Sequence, residues 1–336
     1  MSAHRIDHVE FYVQDADLAA ADLVDGYAFT AGTAEGTPAP GGTRSIPLAQ
    51  GSIRLRLTSS HDPAHRAPAY VARHGDGLAV IALGCADAAA ALEQALAHGA
   101  EPLDTGSCTL PGLDDIALRF VQDGDPAAAA AFPRTGSALL EEIDHLAVCV
   151  PAGTLADTVA FCEAGLGFRP IFGEYIEVGA QAMDSVVVQS PSGAVTFTLL
   201  EPDTSRRPGQ IDDFLQAHQG PGVQHLAFRT DDIAHAVRTC TERGVGFLST
   251  PGVYYDLLAE RLGTDSGIPV PALRDLHVLV DQDHGGHLLQ IFTRSAHTRR
   301  TFFFELIERR GAATFGTANI KALYEAVQRQ QAVANA

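Results

Sequence analysis

The chain states one plan twice, and that repetition limits its possible folds more than any single residue does. Residues 6–13 read I-D-H-V-E-F-Y-V, and residues 143–150 read I-D-H-L-A-V-C-V. A second pair follows at a similar interval. Residues 74–83, H-G-D-G-L-A-V-I-A-L, precede an Ala-rich helical pattern and then H-G-A-E-P-L. Residues 219–228, Q-G-P-G-V-Q-H-L-A-F, precede a helical pattern and then R-G-V-G-F-L, with a small insertion in this second copy. Between the copies, Asp125 to Gly136 reads D-P-A-A-A-A-A-F-P-R-T-G, a linker composition. Two domains are therefore expected, over residues 1–135 and 136–336.

Each half divides again. In the second half Ile143 to Val150 has the pattern of a strand, and a helix from Ala156 stops at the glycines Gly165 and Gly167. Strands are predicted over 185–190 and 195–200, joined by the turn P-S-G. Val223 to Phe228 opens a new unit, with a helix over 232–243 that ends at Gly244. Strands follow near 276–281, 288–293 and 302–307. The result is β-α-β-β-β stated twice, an α+β plan. Equivalent residues of paired modules then face each other across a shared cavity.

Composition narrows the partners. With 336 residues, 46% hydrophobic and 19% charged, the chain can bury large cores. A net charge of −18 argues against a nucleic-acid or anionic-membrane partner. No apolar run approaches the ~18 residues of a membrane span. The opening M-S-A-H-R-I-D-H lacks an apolar secretory core, so a cytoplasmic location is expected. Cys85, Cys108, Cys149, Cys162 and Cys240 are odd in number and scattered, which predicts reduced, buried thiols.

The candidate chemistry begins at residues 301–310, T-F-F-F-E-L-I-E-R-R. Alternation puts Phe303, Glu305 and Ile307 on one face and Phe302, Phe304 and Leu306 on the other. A carboxylate in an aromatic strand needs a cation to receive it. That cation is either an arginine such as Arg309 or Arg310, or a metal. His145 and His225 hold the same place in two equivalent strands, D-H-L-A-V and Q-H-L-A-F, and Glu305 follows at the same spacing. Two imidazoles and one carboxylate on one face, with positions left open, is the ligand set of non-haem Fe(II) oxygenases. In the first half His8 matches His145, but Val80 stands where His225 stands, so that half is expected to be metal-free. His284-Gly-Gly-His287 reads as a hairpin turn and Cys149 as core.

Six segments then carry a resemblance. They are I-D-H-L-A (143–147), G-V-Q-H-L-A-F (222–228), Y-Y-D-L-L (254–258), D-H-G-G-H-L-L-Q-I-F-T (283–293), T-F-F-F-E-L-I-E-R (301–309) and F-G-T-A-N-I-K-A-L-Y-E-A (315–326). Together they resemble the 4-hydroxyphenylpyruvate dioxygenase family of the vicinal-oxygen-chelate superfamily, most weakly between residues 30 and 135. The resemblance implies paired βαβββ modules forming two open β-barrel domains. It places Fe(II) on His145, His225 and Glu305 as the catalytic and metal residues. It implies 4-hydroxyphenylpyruvate and O₂ as substrates, and a dimer or tetramer as the assembly.

The family contains two chemistries that share oxidative decarboxylation of the 2-oxo acid. One hydroxylates the ring and gives homogentisate; the other hydroxylates the benzylic carbon and gives 4-hydroxymandelate. Ring-hydroxylating members read P-I-N-E-P where this chain reads T-L-L-E-P, with Thr198 and Leu200 replacing Pro and Asn. That departure, with Ser185 in G-A-Q-A-M-D-S-V-V-V-Q-S, is similar to the benzylic branch, which elsewhere supplies peptide-antibiotic building blocks. The family match adds Gln210, Gln290, Phe304, Phe315 and Asn319 as substrate-pocket residues, the last opening a lid helix. The alternatives are ring hydroxylation, a metal-free binding protein of this fold, and a divalent Lewis acid serving an isomerase.

Overall fold

The computed structural model describes residues 3–36, 41–104, 106–136, 138–262, 269–297, 299–313, 315, 316 and 319. The first half runs β1 (Arg5–Tyr12), α1 (Ala16–Tyr27), β2 (Thr30–Ala31), β3 (Glu35–Gly36), β4 (Thr43–Gln50), β5 (Ile53–Ser60), α2 (Arg66–His74), β6 (Gly77–Cys85), α3 (Ala88–Ala97), β7 (Pro102–Asp104), β8 (Ser107–Leu110), β9 (Leu113–Gln122) and α4 (Pro126–Ala130). The second runs β10 (Glu142–Cys149), α5 (Leu155–Leu166), β11 (Arg169–Val178), β12 (Gln181–Gln189), β13 (Thr196–Pro202), α6 (Gln210–His218), β14 (Gly222–Arg229), α7 (Ile233–Glu242), α8 (Gly252–Leu262), α9 (Val270–Asp275), β15 (Leu279–Gln282), β16 (His287–Phe292) and β17 (Phe303–Arg310).

Both sheets are built alike. Their strand orders are β2-β4-β5-β1-β6-β9-β8-β7, with β3 on β4, and β11-β12-β13-β10-β14-β17-β16-β15. The opening strands of two modules pair antiparallel at each centre, β1 with β6 and β10 with β14. Each module's last strand returns parallel beside its first. A parallel return needs a long connection, which the helix and two intervening strands supply. This is the α+β architecture of paired βαβββ modules that the repeat calls for.

Local chemistry sets the boundaries. Asp232 caps α7 by accepting from the His235 amide, and α5 ends where Gly167 takes a left-handed φ of 71°. Asp125 caps α4 and Pro126 opens it, so the linker holds a short helix. Three elements lack a sequence signal. β11 is an edge strand, exposed along most of its length, so it shows no hydrophobic alternation. Helices α8 and α9 fill an insertion of the last module that the repeat does not contain.

The two sheets share one aromatic core. Phe11 packs edge-on to Phe302 with centroids 5.1 Å apart, Tyr27 packs on Phe304 at 5.2 Å and Phe29 on Phe228 at 5.8 Å. All five cysteines are buried free thiols. Among the described residues no helix is long and apolar enough to cross a membrane.

Candidate metal centre

Three adjacent strands bring the candidate ligands together. His145 on β10 stands opposite Ala227 of β14, and Ala227 stands opposite Glu305 of β17. His225 lies two residues along β14, opposite Ala147. The three side chains thus project from one face. Ala147 and Ala227 are buried methyl groups that leave the space between them open.

His145 Nε2 and His225 Nε2 are 3.4 Å apart, and Glu305 Oε2 is 3.3 Å from the first and 3.4 Å from the second. Just off the centre of such a triangle lies a point about 2.1 Å from every corner, the bond length of a divalent ion to imidazole nitrogen or carboxylate oxygen. Among the described residues this is the one cluster of His, Cys, Asp and Glu with ligand geometry. Two nitrogens and one carboxylate fit Fe(II) and leave coordination positions for substrate.

The electrostatics fit a cation as well. Burial opposes charge on His145, but hydrogen bonds to Asp144 and Glu305 outweigh it and push the imidazole up to about 9. Burial dominates at His225 and holds it below the ordinary value, partly offset by Glu305. Burial would raise Glu305, yet the two imidazoles hold it below the usual carboxylate range. The cluster thus favours positive charge at its centre, the place a bound cation would take.

An outer layer aims the ligands. His145 Nδ1 bonds Asp144 at 2.8 Å, and Arg309 donates to the same carboxylate from Nε at 2.6 Å and Nη2 at 2.8 Å. His225 Nδ1 lies 3.3 Å from Gln224 Oε1. With Nδ1 engaged, each ring presents Nε2 to the centre. Among the described residues Arg309 pairs with Asp144 and Arg310 with Glu308, while the two imidazoles stand within 3.4 Å of Glu305.

Aromatic rings close the site. Phe303 stacks on His225 at 5.0 Å, Phe292 meets the same ring edge-on at 6.1 Å, and Phe315 stands edge-on to His145 at 5.6 Å. The Arg309 guanidinium lies over Phe315 at 4.9 Å. Along β13, Thr198 is buried with no partner for its hydroxyl among the described residues, and Leu200 faces Ser185 of β12. Gln290 on β16 is buried with its Oε1 unpaired among the described residues, pressed against Gly316, whose lack of a side chain admits it.

Three expected pocket residues sit elsewhere. Phe304 points to the opposite face and stacks on Phe228 at 5.1 Å in the shared core; alternation places Phe303, not Phe304, beside Glu305. Gln210 is exposed at the first turn of α6. Asn319 is fully buried, with its amide against the Tyr254 hydroxyl, Val280 O and Asp281 N, so it ties its segment to α8 and β15. The rest of the expected lid helix lies outside the described residues. Sequence reasoning did not name Asp144, Phe303 or Phe292 as site residues, and it offered Arg309 as a partner of Glu305 and not of Asp144. The Asp that precedes His in both I-D-H copies is the one signal that marks the first of these.

The profile of the Glyoxalase/Bleomycin resistance protein/Dioxygenase superfamily matches residues 7–112 and 144–256. A 4-hydroxyphenylpyruvate dioxygenase of Dictyostelium discoideum is 30% identical, the match covering 97% of each chain. Another from Yarrowia lipolytica is 29% identical over 97% of this chain and 92% of its own. Among solved structures, a triple mutant of 4-hydroxymandelate synthase from Streptomyces coelicolor matches with a TM-score of 0.86 and 42% identity, covering 98% of this chain and all of that one. The chain belongs to the 4-hydroxyphenylpyruvate dioxygenase family, within the Glyoxalase/Bleomycin resistance protein/Dioxygenase superfamily.

Proposed function

We propose that this chain is a 4-hydroxymandelate synthase: with Fe(II) it converts 4-hydroxyphenylpyruvate and O₂ into 4-hydroxymandelate and CO₂. Residues 136–336 form the catalytic domain and residues 1–135 a metal-free one. The observation that carries the choice of product is the β13 wall, where Thr198 and Leu200 stand with Ser185 across from Leu200. His145, His225 and Glu305 would hold the iron, which supplies O₂ activation beside a chelated 2-oxo acid. Gln290 and Thr198 carry the buried, unpaired polar atoms that can anchor the substrate's oxygens. Phe292, Phe303 and Phe315 exclude water from the reacting centre. Leu200 offers the aromatic ring no hydrogen bond, so shape alone sets which carbon lies nearest the metal.

The second reading is ring hydroxylation to homogentisate, favoured by the names of the Dictyostelium and Yarrowia relatives. The test is product identity after anaerobic iron loading, addition of 4-hydroxyphenylpyruvate and admission of O₂. NMR is required because the two products are isomers. A benzylic CH–OH proton beside an intact para-substituted ring supports the proposal. A trisubstituted ring overturns it in favour of the second reading.

A further inference from the structure

A cavity of about 650 Å³ lies between the two halves, lined by Asp144 and Phe315 beside the metal centre but by none of the three ligands. Four strands of the second sheet run from its wall toward the ligands. On β10, Ile143 and Asp144 line the cavity and His145 is next. On β13, Thr196 lines it and Thr198 follows on the same face. On β12, Gln189 lines it and Ser185 lies deeper. On β17, Arg309 lines it and Glu305 lies four residues in. Phe315 stands at the junction, lining the cavity and touching the His145 ring. The cavity therefore lies at the ends of the strands that carry the three candidate ligands.

The other wall comes from the first half, through Arg5, Asp7, Ser52 and Arg54. The charges there run against the whole molecule. A chain of net charge −18 repels an anion, yet this cavity gathers Arg5, Arg54, Arg229 and Arg309 against Asp7, Glu142 and Asp144. Asp144 is taken up by Arg309 and His145, and Asp7 by Arg5 and His8. Arg54 is left with Asp7 at 3.7 Å. Arg229 bonds Glu142 at 3.1 Å through Nη1, while its Nε is buried without a partner among the described residues.

We propose that this cavity is the mouth through which an anionic aryl 2-oxo acid reaches the metal centre, and that the metal-free half supplies its cationic wall through Arg54. Four arginines against three carboxylates leave this cleft net positive in an acidic molecule, and a positive cleft raises local anion concentration and on-rates, an effect that salt weakens. Arg54 and Arg229 capture the carboxylate; Phe315 separates capture from chemistry. The assignment of the ligand rests on the function proposed above.

The test compares wild type with Arg54→Gln, Arg229→Gln and the double variant, using iron-loaded protein. Arg238→Gln, on the exposed face of α7, removes the same charge outside the cavity. Two readouts are taken across ionic strength: kcat and KM with 4-hydroxyphenylpyruvate, and anaerobic binding of phenylpyruvate by calorimetry. Expected for the double variant is about a tenfold fall in kcat/KM at low salt, with kcat within twofold and a flattened salt dependence. Phenylpyruvate binding should weaken in parallel, with Arg238→Gln unchanged. Unchanged kcat/KM, binding and salt dependence in the double variant overturns the mouth. An equal loss in Arg238→Gln also overturns it, because net charge alone then explains the effect. If 4-hydroxyphenylpyruvate is not turned over, the proposed function falls; charge-dependent phenylpyruvate binding would still support the mouth, and charge-independent binding would overturn it too.

Discussion

His8 sits on β1 where His145 sits on β10, and each bonds through Nδ1 to the aspartate before it, Asp7 at 2.9 Å and Asp144 at 2.8 Å. The register carries the match further. His8 is opposite Ala82 and Ala82 opposite Arg119, as His145 is opposite Ala227 and Ala227 opposite Glu305. Val80 faces Glu10 as His225 faces Ala147. Even the covering ring recurs, with Phe132 5.4 Å from His8 and Phe315 5.6 Å from His145. The chemistry does not recur. Where the second half places a carboxylate between two imidazoles, the first places a guanidinium, with Arg119 3.8 Å from Glu10 and Glu10 bonded to Thr58 at 2.5 Å. The buried polar centre of this fold needs balanced charge. One half brings its own cation on β9; in the other, His145, His225 and Glu305 are placed to receive one.

The largest effect that tests this contrast comes from the two β-strand partners. Glu305→Ala should take iron content after dialysis, and oxygen uptake with it, down to background, because two imidazoles alone do not make the donor set. Arg119→Ala should leave iron content unchanged. Iron retained by Glu305→Ala, or lost from Arg119→Ala, would break the comparison at its centre.

Acid probes where the halves meet. His218 of α6 stacks on His74 of α2 at 4.2 Å, and His74 reaches Asp115 at 2.9 Å. Burial, with the neighbouring His74, holds His218 down to about 4. The unfolded chain therefore takes up this proton first as pH falls. The stabilising contribution is present above ~6.5 and is lost between there and about 4, a cost of about 3 kcal/mol. Urea denaturation at pH 7 and pH 4.5 should show a steeper acid loss in wild type than in His218→Phe. Equal slopes would remove this stack as an acid-sensitive joint.

Much of the contrast is legible in the sequence, and the missing parts have physical reasons. The I-D-H repeat exposes β1, β10 and both histidines because the central strands are buried on both faces. Arg119 is not legible. L-D-D-I-A-L-R-F-V-Q shows no likeness to F-F-E-L-I-E-R-R, and only hydrogen-bond register sets Arg119 against Glu305. Phe304 misleads because its aromatic character suggests a pocket, while strict alternation sends it to the core. Asn319 misleads because a polar side chain in a resembling segment is as readily a tether, here to Tyr254. β11 escapes because an exposed edge has no buried face to impose a pattern.

The paired aspartates allow a smaller and cleaner test, since the same substitution can be made in both halves. Asp144→Asn keeps the shape but loses the negative charge that orients His145 and receives Arg309. Iron affinity should fall by roughly 10–100-fold, as for other outer-layer partners of metal ligands. Asp7→Asn should leave iron affinity unchanged, because among the described residues His8 belongs to no cluster with ligand geometry. Competition with a colorimetric chelator reads both. An equal fall in the two variants would mean that the aspartates act on the fold and not on the ligand.

The smallest predicted effect concerns the wall on which the choice of product rests. Leu200 stands opposite Cys149 on β10 and Ser185 on β12, while Thr58, its counterpart in the first half, uses its hydroxyl to hold Glu10. A polar group at this position therefore takes a hydrogen bond in the half where one is offered. Leu200→Asn would offer one to the substrate ring. A net hydrogen bond is worth about 1 kcal/mol, enough to move a product ratio about fivefold. NMR of the product mixture should then show more trisubstituted ring at the expense of the benzylic alcohol. Leu200→Met, which changes shape with no donor, should leave the ratio closer to wild type. An unchanged ratio in Leu200→Asn would remove this side chain from the choice and move the search along β13 to Thr198.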